Sequence, residues 1–244
     1  MTSHTIAARP TASVARGASR FAFWAALSMS FIAAVSLATA VLTPPRSGPF
    51  CQGGCVGYPY TDIAAFFPRD YLWMYPALLL TPLFVICMAC IHQRAASEKK
   101  VFSLIGLAFA MMSAALITLD YFIQLTVIQP SVINGETAGL TLISQYNPHG
   151  IFIALEALGY LLMGVAFAFA GLVFAGRDRF ERALRWVFST GSVLAVGGLI
   201  ALALAYGNRL EYRFEVLGIL VDWLVLIVSG ALLSVVFRRD SRDS

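Results

Sequence analysis

Charge is what this sequence has least of. Asp, Glu, Lys and Arg make up 12% of the chain, about half the share of a soluble domain. So few ionic groups cannot cover a core with polar surface, which excludes an ordinary water-soluble domain. The ten-residue alternating segments of a membrane β-barrel are also missing. There is no G-x-S-x-G, no H-E-x-x-H and no phosphate-binding glycine loop. Histidine occurs only three times, never in the middle of an apolar run, and Ser189 and Ser192 have no histidine base near them. Hydrolase chemistry is therefore disfavoured, and no motif calls for a cofactor or a metal. The basic residues stand in short flanks without interleaved aromatics, so nucleic acid is not an expected partner.

What is abundant is apolar sequence: 59% of residues, gathered in runs at 21–43, 71–91, 101–128, 150–175, 186–206 and 214–237. A bilayer span needs about 20 residues at 1.5 Å rise each, and in hydrocarbon every backbone polar group must be satisfied within its own segment, so each run is expected to be a helix. The fold expected is an all-α, six-helix transmembrane bundle over 21–237, with the lipid bilayer as its partner. Residues 1–20 and 238–244 read as cytoplasmic tails, and 44–70, 129–149 and 207–213 as outer loops. Orientation follows from the arginines. Taking the odd-numbered gaps as cytoplasmic places 13 of the 17 basic residues inside: Arg9, Arg16 and Arg20; Arg94, Lys99 and Lys100; Arg177, Arg179, Arg182 and Arg185; Arg238, Arg239 and Arg242. Only Arg46, Arg69, Arg209 and Arg213 fall outside, so both termini are expected in the cytoplasm. The acid-free, arginine-bearing first twenty residues share features with targeting segments, and 38–40 has the form of a cleavage site. The run that follows is longer than the usual apolar region of a signal peptide, and it is read as a retained helix.

Three acids interrupt the runs: Asp120, Glu156 and Asp222. Counted from Gln129, His149 and Glu215 at the outer boundary, each lies roughly 10–14 Å deep, so alternating topology puts all three in one outer layer. No Lys, Arg or His stands deep in a span to neutralise them. Intramembrane acids serve as proton relays or ion sites, or else as hydrogen-bonding glue between helices. Asp120 and Glu156 could each sit at an interface by a shift of register. Asp222 could not, because only 223–237 separates it from Arg238. On helical spacing Gln124 shares a face with Asp120, while Tyr160 and His149 share one with Glu156. The candidate ligand- or ion-binding set is therefore Asp120, Gln124, His149, Glu156, Tyr160 and Asp222. Tyr71, Trp73, Tyr75 and Tyr121 read as aromatic-belt anchors.

Cys51 and Cys55 flank Gln52-Gly53-Gly54 in an outer loop, where a disulfide is permitted, and are expected to form a staple. Cys87 and Cys90, inside an apolar run, read as small buried hydrophobes. Pro76 and Pro82 should kink the second helix. The glycines of the last three runs are expected to let helices of this chain approach closely.

The stretch Asp120-Tyr-Phe-Ile-Gln124, followed by Gln145-Tyr-Asn-Pro-His-Gly-Ile-Phe-Ile-Ala-Leu-Glu156, resembles segments of uncharacterised bacterial multi-pass membrane proteins. That resemblance implies a bacterial inner-membrane setting and no particular activity. Three kinds of function stay open: a small transporter or binder of a cation, proton or polar solute; an accessory or sensor protein whose outer loops meet a partner; and a membrane-embedded enzyme acting on lipid, with Glu156 as acid–base group and His149 assisting. The topology has its own test. Reporter fusions after residues 60, 140 and 210 should read extracytoplasmic and those after 96, 181 and 244 cytoplasmic; an extracytoplasmic C-terminus would overturn the assignment.

Overall fold

The computed structural model describes residues 12–176 and 178–243. Arg9, Arg177 and the remainder of the expected tails at 1–11 and 244 lie outside the described residues. The described residues contain six long helices: α1 (Ala12–Val41), α2 (Met74–Arg94), α3 (Lys100–Ile123), α4 (Ile151–Val173), α5 (Arg179–Tyr206) and α6 (Arg213–Asp243). All six are long and apolar enough to cross a membrane, and there is no strand among the described residues. Each helix packs on the next, α6 closes the ring against α1, and α4 reaches across to α6.

The boundaries differ from the sequence reading in two ways. First, α1 and α5 begin before their apolar runs, α5 at Arg179, and α6 continues to Asp243. The last turns of α6 are held by ion pairs. Arg239 reaches Asp178 at 3.2 Å, and Arg94, at the end of α2, grips Asp240 at 2.7 Å and Glu181 at 3.0 Å. Second, α3 runs on through a π-helical turn, Gln124–Ile128, into Gln129–Ile133, inside the expected outer loop. Pro130 falls in the first turn of that last segment, where a missing N–H is tolerated.

Those ion pairs gather the ends of α2 and α6 and the start of α5 at one end of the bundle. Asp178 caps α5 there, accepting from Phe180 N at 2.8 Å and Glu181 N at 2.9 Å. The backbone N–H of Glu181, then that of Phe180, and the nearby Arg239 hold its carboxyl below the usual aspartate range, as expected for an anion at a helix N-terminus.

The opposite end carries the long loops, and Tyr212 ties them together. Ser47 Oγ lies 2.7 Å from the Tyr212 hydroxyl, which donates to Gln145 O at 2.9 Å. Three connections thus meet at one ring. Burial pushes the Tyr212 hydroxyl well above the usual tyrosine range, so it keeps the proton it donates. Cys51 and Cys55 are joined by a disulfide in the first of these loops.

Within α2, Pro82 cannot donate to the Leu78 carbonyl. The Thr81 hydroxyl donates to that carbonyl instead, at 3.1 Å, and Thr118 Oγ1 of α3 lies 2.8 Å from Thr81 Oγ1. With Thr81's proton committed to Leu78, Thr118 is the donor of that pair. The prolyl gap becomes an interhelical link, as apolar surroundings require. Pro76 lies in the first turn of α2 and costs no bond there.

Glycines set the helix spacing. A Cβ on Gly230 of α6 would stand 2.7 Å from the Ala26 carbonyl oxygen of α1, and one on Gly218 would stand 2.9 Å from Tyr160 Cβ of α4. Gly197 has open space around it. Gly230→Ala should lower stability by about 1–3 kcal/mol through overpacking against backbone, whereas Gly197→Ala should leave the melting temperature unchanged or slightly raised. Thermal unfolding in detergent reads the difference. Equal effects at the two positions would mean that α1 and α6 are not packed this closely.

Candidate functional site

The site grows from three helices that meet below the long loops. On α3, Asp120 and Tyr121 are both buried; on α4, Glu156 and Tyr160; on α6, Glu215 and Asp222. Gly218 admits the Tyr160 ring between α4 and α6, and this close approach brings the acids of the two helices together.

The Tyr121 hydroxyl donates to Glu156 Oε1 in a short hydrogen bond. Tyr160 Oη lies 2.8 Å from Tyr121 Oη. Since Tyr121 has one proton and gives it to Glu156, Tyr160 must donate to Tyr121, and the chain runs from Tyr160 through Tyr121 to Glu156. The Glu215 carboxyl stands close enough to the Glu156 carboxyl for the two to interact. Neither carboxylate can donate when ionised, so Glu156 Oε2 and Glu215 Oε2 are buried without a donor. Asp120 stands near enough to feel both charges, and its Oδ2 is likewise unpartnered. Two turns below Glu215 on the same face of α6, Asp222 is completely buried with neither oxygen hydrogen-bonded. Aromatic rings wall the cluster. Trp73 packs edge-on to Tyr121 at 5.1 Å and near Trp223 at 6.3 Å, and its indole N–H is fixed by Asp70 O at 3.1 Å.

A cleft of about 290 Å³ opens from this cluster between the loop-bearing ends of α1 and α6. Glu215, Trp73 and Phe152 line its inner part; Arg46, Asp70, Ser47, Gln145 and Tyr212 form a polar side; Leu37, Ala40, Val41, Val216, Ile219 and Leu220 form an apolar one. Asp70 is buried and paired with Arg46 at 3.1 Å and Arg69 at 2.8 Å. The Arg46 guanidinium also lies 4.5 Å from the Phe66 ring centre.

Of the residues singled out from sequence, Asp120, Glu156 and Tyr160 come together in this cluster, and Asp222 lies deeper on α6. Gln124 and His149 are elsewhere. Gln124 donates to Ile143 O at 2.5 Å and accepts from Gln145 N at 3.1 Å, so it anchors the loop. His149 precedes α4, which begins at Ile151, and helical spacing does not apply to it. Its exposed ring lies 3.9 Å from Glu211. Sequence reasoning missed Tyr121 and Glu215. Tyr121 was read as a belt residue, although it neighbours Asp120 in sequence. Glu215 was used to mark the boundary, although it is seven residues from Asp222 and therefore on its face. Cys87 and Cys90 are free thiols remote from these groups. Among the described residues no group of His, Cys, Asp and Glu is arranged to hold a metal ion.

No protein-family model, no curated protein and no solved structure matches the chain.

The hydrogen-bond chain makes a directional prediction. Tyr121→Phe removes the donor to a buried carboxyl and should destabilise by about 1–3 kcal/mol. Tyr160→Phe, one step further from the acid, should cost less. Thermal unfolding of the two variants checks the order; the reverse order would contradict the chain.

Proposed function

We propose that this is an integral protein of a bacterial inner membrane, with both termini cytoplasmic, that binds a small cation, a proton or a hydrogen-bond-donating solute between Glu156 and Glu215 in its outer half. The observation that carries this reading is a buried carboxyl pair of which one member, Glu215, lines an open cleft. Two acids stand side by side, each has a buried oxygen without a donor, and among the described residues no basic side chain pairs with either. A shared proton or a bound cation satisfies such a pair. Acids serving only as interhelical glue would not need a cleft leading to them. The arginine bias of the short loops and the apolar length of the helices support the membrane setting and the orientation.

A second reading, transport, is favoured by α6 itself. Glu215, Asp222 and Ser229 recur at seven-residue intervals, all buried, each with at least one unpartnered oxygen. A cation or proton held at Glu215 would have Asp222 as its next station toward the cytoplasm.

Purified protein titrated with sodium, potassium or ethylammonium separates these possibilities. At least one of them should raise the melting temperature of the wild type, by the equivalent of about 2.7 kcal/mol at a hundredfold excess over Kd. Glu156→Gln and Glu215→Gln should fold and lose that response. Asp222→Asn should keep it, and should abolish flux in proteoliposomes if transport occurs. Folded amide variants with an unaltered response, or a wild type that responds to none of the three, would sink the proposal.

A further inference from the structure

The cleft says more about the ligand than the carboxyl pair does. It lies between two helices, not on the axis of the bundle. Its apolar side ends in Val41 and Leu220, exposed to 68% and 38%, with Val216 beside them at 37%. On an apolar helix surface, an opening edged by such side chains faces the acyl chains of the bilayer. Three charged side chains line it, Arg46, Asp70 and Glu215, and they are differently committed: Asp70 is paired with Arg46 and Arg69, and Glu215 with no basic side chain among the described residues. Arg46 gives Asp70 only its Nε–H at 3.1 Å, and a guanidinium has further donors in a fork that suits phosphate. Ser47 and Tyr212 supply hydroxyls on the same polar side. Glu215 lines the cleft with its carboxyl, of which Oε2 is buried within the bundle without a donor, and Trp73 and Phe152 are neighbouring walls.

We infer that this lateral cleft binds a phospholipid bearing a primary ammonium, with its phosphate at Arg46, its ammonium at Glu215 and an acyl chain along Leu37, Val41 and Leu220. The inference rests on the carboxyl-site reading and names the ligand class for it. A primary ammonium is specified because Glu215 lacks a hydrogen-bond donor: a trimethylammonium brings charge but no N–H, and a glycerol headgroup brings O–H but no positive charge. The anionic phosphate complements Arg46. Ala40 lies midway along the α1 wall of the cleft, where a large side chain would occupy the acyl path.

Native mass spectrometry of the full-length protein in detergent, titrated with phosphatidylethanolamine, phosphatidylcholine and phosphatidylglycerol of equal chain length, tests it. Phosphatidylethanolamine should bind at least tenfold more tightly than either of the others. Glu215→Gln should erase that preference while phosphatidylcholine binding persists. Ala40→Trp should remove the preferential binding by filling the cleft, and it keeps the proposal testable should Glu215→Gln fail to fold. Equal affinity for the three lipids, preference for phosphatidylglycerol, or undiminished binding to Ala40→Trp would each overturn the inference. Ethylammonium, which has the amine but no tail or phosphate, separates the two levels. If it stabilises the wild type while the lipids bind alike, the lipid assignment fails and the carboxyl site stands; if neither lipid preference nor any cation response is seen, both fail.

Discussion

A carboxylate moved out of water carries a desolvation cost of several kcal/mol, and only a partner offsets it. Four acids bear that constraint within this bundle: Asp120, Glu156, Glu215 and Asp222 are all buried, and no basic side chain among the described residues pairs with them. The protein supplies one good donor, the Tyr121 hydroxyl, to one oxygen of Glu156. Glu156 Oε2 and Glu215 Oε2 are left without a donor, and Glu215 lines the cleft. A purely structural bundle would gain stability from apolar residues at these positions. Their presence is the main physical reason to read a binding function here.

The rest of the architecture positions that contact. Glycines at 218 and 230 draw α6 against α4 and α1. Tyr212 pins the loops above the site, and the Asp70 carbonyl fixes Trp73 as its wall. At the far end Arg94 links α2, α5 and α6, so α6, one wall of the cleft, is tied at both ends. The polar links within the bundle, such as Thr118 to Thr81 to the Leu78 carbonyl, repair specific gaps. They leave the acids among the buried groups without a partner.

Much of this was legible in the sequence, because run length and apolar composition are properties of single segments. The six helices follow from them directly. The buried state of Asp222 follows as well, since the short run 223–237 leaves α6 no other register. Helix ends were less legible: α6 runs to Asp243 because Asp240 and Arg239 find partners on α2 and before α5, which is tertiary information. The site was half legible. Glu156 and Tyr160 share a face by periodicity and were placed together. His149 was put on that face wrongly, because periodicity was carried past Gly150, where the backbone is extended and the helix has not begun. Gln124 opens the π-helical turn and faces the loop. Tyr121 and Glu215 were given interfacial roles that their residue types favour, and only the packing of α3, α4 and α6 shows them meeting Glu156.

The account stands on Glu156 and Glu215 acting as one unit, and a double-mutant cycle measures that directly. Independent sites add within about 0.3–0.5 kcal/mol, whereas groups in contact couple by about 0.5–3 kcal/mol. Unfolding free energies of the wild type, Glu156→Gln, Glu215→Gln and the double variant, taken under conditions of reversible unfolding, should give a coupling of at least about 1 kcal/mol between the two positions. Additivity within about 0.3 kcal/mol would mean that the two carboxyls do not meet, and the binding site proposed between them would have no basis.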